Sequence, residues 1–176
     1  MTVVDAERLR TLIRDVPDFP RTGIVFKDIT TLLRDRDAFT EVIDAVASEY
    51  RSAAIEVVAG VESRGFVLGG AVAYALGAGF VPIRKQGRLP STTISAAYAL
   101  EYGESVLEVH SDAVQRGQTA LIVDDLLATG GTAAAAVSLI ERLGGRIAGV
   151  AFLIELTALG GARALEGHPH TSVIRF

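Results

Sequence analysis

The chain has 176 residues, enough for one domain with a substantial core. Hydrophobic residues make up 49% and the net charge is −4, so the chain lacks the basic balance of a general nucleic-acid binder. There is no cysteine, which excludes disulfides, thiol nucleophiles and cysteine metal sites, and His110, His168 and His170 do not form the HExxH metal pattern.

Taken in order, the chain alternates. MTVVDAERLR lacks the basic start and apolar core of a signal peptide, which predicts a cytoplasmic location, and Asp5 to Arg14 reads as a short helix. PDFPRTGIVFKDIT, Pro17 to Thr30, has two prolines and a glycine and predicts an irregular segment. A longer helix follows over Asp37 to Tyr50, and Glu56 to Ala59 lies in a strand-like run that leads into GVESRGF, Gly60 to Phe66. Phe66 to Ile83 carries no charge for eighteen residues and Gly65 and Gly69 form GxxxG, near the pattern of a membrane span. Its break at Gly77-Ala78-Gly79 and its Pro82 predict instead a buried helix to Leu76 and a short strand near Phe80 to Ile83.

Arg84 to His110 is long for a connection, which predicts a functional lid or an extra hairpin. Arg84, Lys85 and Arg88 open it and Arg64 reaches from the neighbouring strand end. These four read as a solvated turn or as an anion site. Farther on come Ile147 to Leu153 as a strand, Gly161 to Leu165 as a short helix and Ser172 to Arg175 as a final strand. Strands alternating with helices predict an α/β fold with a Rossmann-like parallel sheet flanked by helices, where ligands bind beyond the carboxyl ends of the strands.

The most informative stretch is TALIVDDLLATGGTAAAAVSLIERL. Ala120 to Val123 reads as a buried strand, and the residues from Thr132 to Leu143 as a helix closed by Gly144-Gly145. Strand, glycine loop and helix N-terminus together make an anion site, because unpaired N–H groups and the helix dipole point at the loop. Two carboxylates beside a phosphate are contradictory unless the ligand also carries hydroxyls. An Asp-Asp pair alone ordinarily ends a strand and caps a turn. With Thr-Gly-Gly-Thr three residues later, Asp124 and Asp125 fit the vicinal hydroxyls of a ribose 5-phosphate, and Thr129 and Thr132 its phosphate. A second anion site at the basic cluster turns that ligand into 5-phosphoribosyl 1-pyrophosphate; a plain sugar phosphate would leave the cluster unexplained.

LIVDDLLATGGT resembles the phosphoribosyl-pyrophosphate motif of the type I phosphoribosyltransferases. PDFPRTGIVFKDIT, SRGF, IRKQGRLP, LEYGE and ELTALGG, in this order, resemble the adenine-specific branch of that family over roughly Ala6 to Leu165. One departure is Gly87-Arg88-Leu89-Pro90, where the family more often has Gly-Lys-Leu-Pro; the positive charge is kept. The resemblance implies the type I phosphoribosyltransferase fold in a single domain, with an N-terminal hood over about 15–34 and a long flexible lid loop over about 87–109. It also implies purine salvage, with adenine and phosphoribosyl pyrophosphate converted to AMP and pyrophosphate by a cytoplasmic homodimer that binds neither nucleic acid nor membrane.

Carried over residue by residue, the resemblance assigns the 5′-phosphate to Ala128, Thr129, Gly130, Gly131 and Thr132, and the ribose hydroxyls to Asp124 and Asp125. Arg64, Arg84, Lys85 and Arg88 attend the pyrophosphate. Val25 and Lys27 recognise adenine through backbone groups, with Phe26 against the ring. Glu101 is the acid/base residue, with Tyr102 beside it on the lid. Magnesium (Mg2+) is implied, held through the substrate and not by a protein cage. Rival readings are a regulatory sensor that keeps the motif without catalysis, and an enzyme for a 6-oxopurine or orotate.

Overall fold

The computed structural model describes residues 4–100 and 103–176. In chain order the elements are α1 (Ala6–Thr11), β1 (Arg14–Pro17), β2 (Val25–Asp28), α2 (Thr30–Arg34), α3 (Arg36–Tyr50), β3 (Val57–Val61), α4 (Arg64–Leu76), β4 (Gly79–Lys85), β5 (Thr93–Leu100), β6 (Gly103–His110), β7 (Thr119–Leu127), α5 (Gly131–Arg142), β8 (Arg146–Glu155) and β9 (His170–Arg175). Short 3₁₀ turns occupy Arg51–Ala53, Thr157–Leu159 and Gly161–Leu165.

Seven strands form one sheet in the order β5-β6-β4-β3-β7-β8-β9, and β1 and β2 form a separate pair. The five strands from β4 to β9 run parallel, while β6 joins β4 antiparallel and β5 pairs antiparallel with β6. The central strands are apolar on both faces because both faces are covered. Val57, Ala59, Ile122, Val150 and Phe152 meet α5 residues such as Ala136, Leu139 and Ile140 on one side. Val58, Leu121, Val123, Ala151 and Leu153 meet α1, α3 and α4 on the other. The fold is the expected α/β arrangement, a mostly parallel sheet between helical layers.

Local chemistry sets the helices. Asp35 caps α3 by accepting the Ala38 N–H at 2.9 Å. Its apolar face, Ala38, Val42, Val46 and Tyr50, repeats every four residues and is buried. α4 ends at Gly77 in the left-handed region, and the Ala78 N–H returns to the Ala73 carbonyl at 2.9 Å. That cap divides the uncharged Phe66–Ile83 run into helix and strand. Among the described residues no helix is long and apolar enough to cross a membrane.

Several boundaries differ from the sequence expectation. α1 stops at Thr11, because Arg14 already pairs with Asp28 across the small sheet. The supposedly irregular Pro17–Thr30 segment contains β2, and α2 follows it directly. The long connection after β4 contains a hairpin, in register from Thr93↔His110 to Leu100↔Gly103. Glu101 and Tyr102 lie outside the described residues. β7 does not stop at Val123 but runs through both aspartates to Leu127.

Candidate active site

β3 and β7 lie side by side up to the pair Gly60↔Val123. Beyond it β3 leaves the sheet through Glu62 and Ser63, joined by a cis peptide, and becomes α4 at Arg64. β7 continues with β8 alone, from Asp124↔Phe152 to Leu127↔Glu155. The vacated flank of β7, beyond the carboxyl ends of parallel strands, is the crevice position at which open α/β sheets bind ligands.

The two aspartates lie on this stretch of β7. Ala120 and Ile122 face the α5 core and Leu121 and Val123 the α3–α4 core, yet Leu127 joins the first and Leu126 packs against the second. Strict alternation would have exchanged the two leucines, so the strand inverts its pleat across Asp124-Asp125. Both carboxylates are 7% exposed. The Asp125 N–H donates to Asp124 Oδ1 at 2.9 Å. Burial raises the Asp124 pKa well above the usual 3.8, and the neighbouring Asp125 charge adds to the rise. A Cβ on Gly65 would stand 3.0 Å from Asp124 Oδ1 and 3.0 Å from the Val123 carbonyl oxygen, tighter than ordinary contact, so glycine eases the approach of the first turn of α4.

Arg64, the first residue of α4, forms an ion pair with Asp125, Nε to Oδ2 at 2.9 Å, and lies over the Phe26 ring, 4.9 Å from its centroid. One guanidinium thus links the carboxylate pair to the small sheet. There Phe26 meets Phe19 edge-on, with centroids 5.2 Å apart. Val16, Phe19, Phe26, Asp28, Thr30, Ser63 and Arg64 line an open cleft of about 510 Å³. Asp28 brings no free charge to it. Its pKa falls to about 2, chiefly through the Arg14 hydrogen bond at 3.1 Å from Nε and then through the Thr30 N–H.

The other predicted residues separate into groups. Val25 is exposed on β2. The Lys27 side chain turns from the cleft to Asp15 Oδ1 at 2.7 Å, with its Nζ 4.2 Å from the centroid of Phe176. Arg84 donates Nε–H to Glu62 Oε2 at 2.9 Å and Nη1–H to the Arg88 carbonyl at 3.0 Å. Lys85 and Arg88 are exposed at the end of β4 and just after it. Ala128, Thr129 and Gly130 form the loop after β7, and Gly131 and Thr132 open α5. Gly130 is the N-cap, at φ 84°, and gives no side-chain cap to the first-turn N–H groups of this 12-residue helix, the kind of helix terminus that suits an anion.

Sequence reasoning missed three residues here. Glu62 was visible in GVESRGF but reads as an ordinary strand-end acid until Arg84 is seen on it. Phe19 was hidden between two prolines. Gly161 sat in ELTALGG with no chemistry of its own.

The Phosphoribosyl transferase domain model matches residues 28–170. An adenine phosphoribosyltransferase from Methylobacterium sp. (strain 4-46) is 55% identical over 158 residues, which are 90% of this chain and 87% of that one. The crystal structure of adenine phosphoribosyltransferase from Rhodothermus marinus superposes with a TM-score of 0.94 at 48% identity, covering 97% and 98% of the two chains. The Saccharomyces cerevisiae enzyme, solved with D-2,5-dideoxy-2,5-imino-altritol 1,6-bisphosphate and adenine, gives 0.90 at 38% identity over 96% and 97%. The chain belongs to the adenine phosphoribosyltransferase family. Membership in the adenine phosphoribosyltransferase family makes it an enzyme, a glycosyltransferase of the pentosyl class. Within that family the crevice described above, with its acidic pair followed by a glycine loop, is the candidate catalytic centre.

Proposed function

We propose that the crevice transfers the 5-phosphoribosyl group of phosphoribosyl pyrophosphate to N9 of adenine, giving AMP and pyrophosphate in purine salvage. The observation that carries this reading is one strand, β7, that carries a buried carboxylate pair and leads, five residues beyond Asp125, to an N-cap without a side chain. Hydroxyl recognition and phosphate recognition then follow one another along a single stretch of chain.

Thr129 to Thr132, with Ala128, hold the 5′-phosphate on backbone N–H groups and threonine hydroxyls. Asp124 and Asp125 accept the ribose hydroxyls. The cleft under the hood, about 15–34, admits the base against Phe26, and the backbone groups of Val25 and Lys27 read its edge. Arg64 and Arg84 face the pyrophosphate, each exchanging a protein carboxylate for the ligand's oxygens, and Lys85 and Arg88 raise the local potential. In the reaction the bond from C1 to the pyrophosphate oxygen breaks and its electrons leave with pyrophosphate. The N9 lone pair closes on C1, and the imidazole proton passes to Glu101. A lid over about 87–109, carrying Glu101 and Tyr102, keeps water from the cationic sugar.

Among the described residues no group of three or more His, Cys, Asp or Glu could hold a metal ion. The donors at the crevice, two adjacent buried carboxylates with Arg64 on one of them, fit a magnesium ion that arrives on substrate oxygens. When bound, magnesium supplies charge neutralisation at the pyrophosphate. The working form is a cytoplasmic two-fold dimer of single-domain chains, which needs no nucleic acid and no membrane.

Incubation with phosphoribosyl pyrophosphate, magnesium and each base in turn tests the reading. Adenine is turned over at least ~100-fold more efficiently than hypoxanthine, because unpaired polar groups penalise the wrong base steeply. Equal turnover of both bases refutes the assignment, and binding without turnover of any base points to a sensor.

A further inference from the structure

ELTALGG, Glu155 to Gly161, contributes none of the groups assigned above, yet its last residue lies against the phosphate loop. A Cβ on Gly161 would stand 2.3 Å from the Ala128 carbonyl oxygen and 3.0 Å from the Gly130 nitrogen. Reciprocally, a Cβ on Gly130 would stand 2.4 Å from the Gly161 carbonyl oxygen and 2.7 Å from Ala164 Cβ. Most of these neighbours are backbone atoms, so no side chain can swing aside to make room.

The two glycines of the motif are there for different reasons. Gly160 has φ 65° and its nearest foreign atom lies 3.8 Å from a built Cβ; it serves conformation and not space. Gly161 lies outside the left-handed region and is enclosed by the loop, so it serves space alone. The segment beneath is anchored at several points. The Leu156 N–H donates to the Leu127 carbonyl at 2.9 Å, the Thr157 N–H to the Phe176 carbonyl at 2.9 Å, and Leu165 is buried in the α5 core.

We propose that Gly161 is a positioning residue for the phosphate loop. Its backbone is the platform on which Ala128 to Gly130 rest, and it sets the direction in which the following N–H groups point. This rests on the reading that Thr129 to Thr132 hold the 5′-phosphate. An alanine at 161 forces the Ala128 carbonyl to retreat by roughly 1 Å to reach ordinary contact, and the peptides after it turn with it. A misplacement on that scale loses a hydrogen bond to a charged group, on the order of 10- to 100-fold in affinity.

The experiment compares Gly161→Ala, Gly160→Ala, Ala164→Val and Thr132→Ala by melting temperature, adenine KM, and calorimetric titration with magnesium phosphoribosyl pyrophosphate and with ribose 5-phosphate. Gly161→Ala weakens both phosphate ligands on the order of 10- to 100-fold and leaves the adenine KM near the parent value. Gly160→Ala melts earlier from its strained φ and binds both ligands as the parent does. Ala164→Val crowds Gly130 from the same platform and weakens the ligands by a smaller factor, which keeps the test decisive if Gly161→Ala does not fold. Parental affinity in Gly161→Ala, or in Ala164→Val should the first be unfolded, overturns the inference while weakened binding in Thr132→Ala preserves the phosphate reading. Parental affinity in Thr132→Ala as well removes that reading and this inference with it.

Discussion

Arg64 and Asp125 are joined at 2.9 Å although they come from different strand ends, and the guanidinium also covers Phe26. Asp125 is therefore buried with a counter-charge that any pyrophosphate must compete for. Arg64→Met leaves the carboxylate uncompensated and lowers stability on the order of 1–3 kcal/mol, the partial exposure of Arg64 holding it below a fully buried pair. Adding Asp125→Asn recovers part of that loss. Urea melts of the four chains in a double-mutant cycle give a coupling of about 1 kcal/mol or more. Additive losses would show that the pair stabilises nothing.

Asp124 makes stability fall with pH. Its pKa is raised by burial, so between the ordinary value of 3.8 and the raised one the folded chain holds a proton that the unfolded chain has released. The stability from that proton is complete below 3.8 and is lost as pH climbs through the folded pKa. Asp124→Asn flattens this slope and is more stable than the parent at neutral pH, while kcat/KM falls by the equivalent of about 1–3 kcal/mol. Parallel stability–pH curves for the two chains would assign the titration elsewhere.

Lys27 spends its side chain on Asp15 and Phe176, which leaves only its backbone for a base. Lys27→Met costs about 1 kcal/mol of stability, the scale of an exposed ion pair plus a cation–π contact. The adenine KM and the preference over hypoxanthine stay near the parent values. A steep rise in adenine KM with the phosphoribosyl pyrophosphate KM unchanged would place the ammonium group in the base site.

Glu101 is tested by Glu101→Gln. Phosphoribosyl pyrophosphate binds as before, and kcat drops roughly 10²-fold or more, as when an acid/base group is removed. An unchanged kcat and pH–rate profile would make Glu101 an ordinary surface carboxylate.

Arg84 is held by Glu62 of its own chain, at the end of β4. If the proposed two-fold dimer presents this strand end to the partner, it does so reciprocally. If Arg84 serves the partner's pyrophosphate, mixing inactive Arg84→Ala chains with inactive Asp124→Ala/Asp125→Ala chains restores activity, since one site then has intact aspartates and a borrowed arginine. Subunit exchange is followed by mass. Mixed dimers as inactive as their parents would mean that Arg84 works within its own chain.

The core of the fold was legible because β3, β7, β8, α3 and α5 announce themselves by apolar periodicity. Boundaries failed where a different force decides. β7 was expected to end at Val123 because paired aspartates read as turn residues, but β8 supplies hydrogen bonds along its other edge through Leu127. β2 was obscured by Pro17, Pro20 and Gly23, and its order comes from Arg14–Asp28, Lys27–Asp15 and Phe19–Phe26, pairs that leave no period. Of the candidate site, the carboxylates and the glycine loop could be read in the chain because the chemistry lies in one stretch. The Arg84–Glu62 and Gly130–Gly161 relationships could not, since each joins segments that only tertiary packing brings together.

The β1–β2 pair shares no ladder with the seven-stranded sheet. It is tethered through side chains, with Arg64 over Phe26 and Phe176 beside Lys27. On the proposed reading, residues 14–28 are an exchangeable cartridge. Rewriting them changes which base is admitted without rethreading any hydrogen bond of the scaffold that grips sugar and phosphates. Selectivity and turnover are then inherited through separate lengths of chain, and one can drift while the other is held.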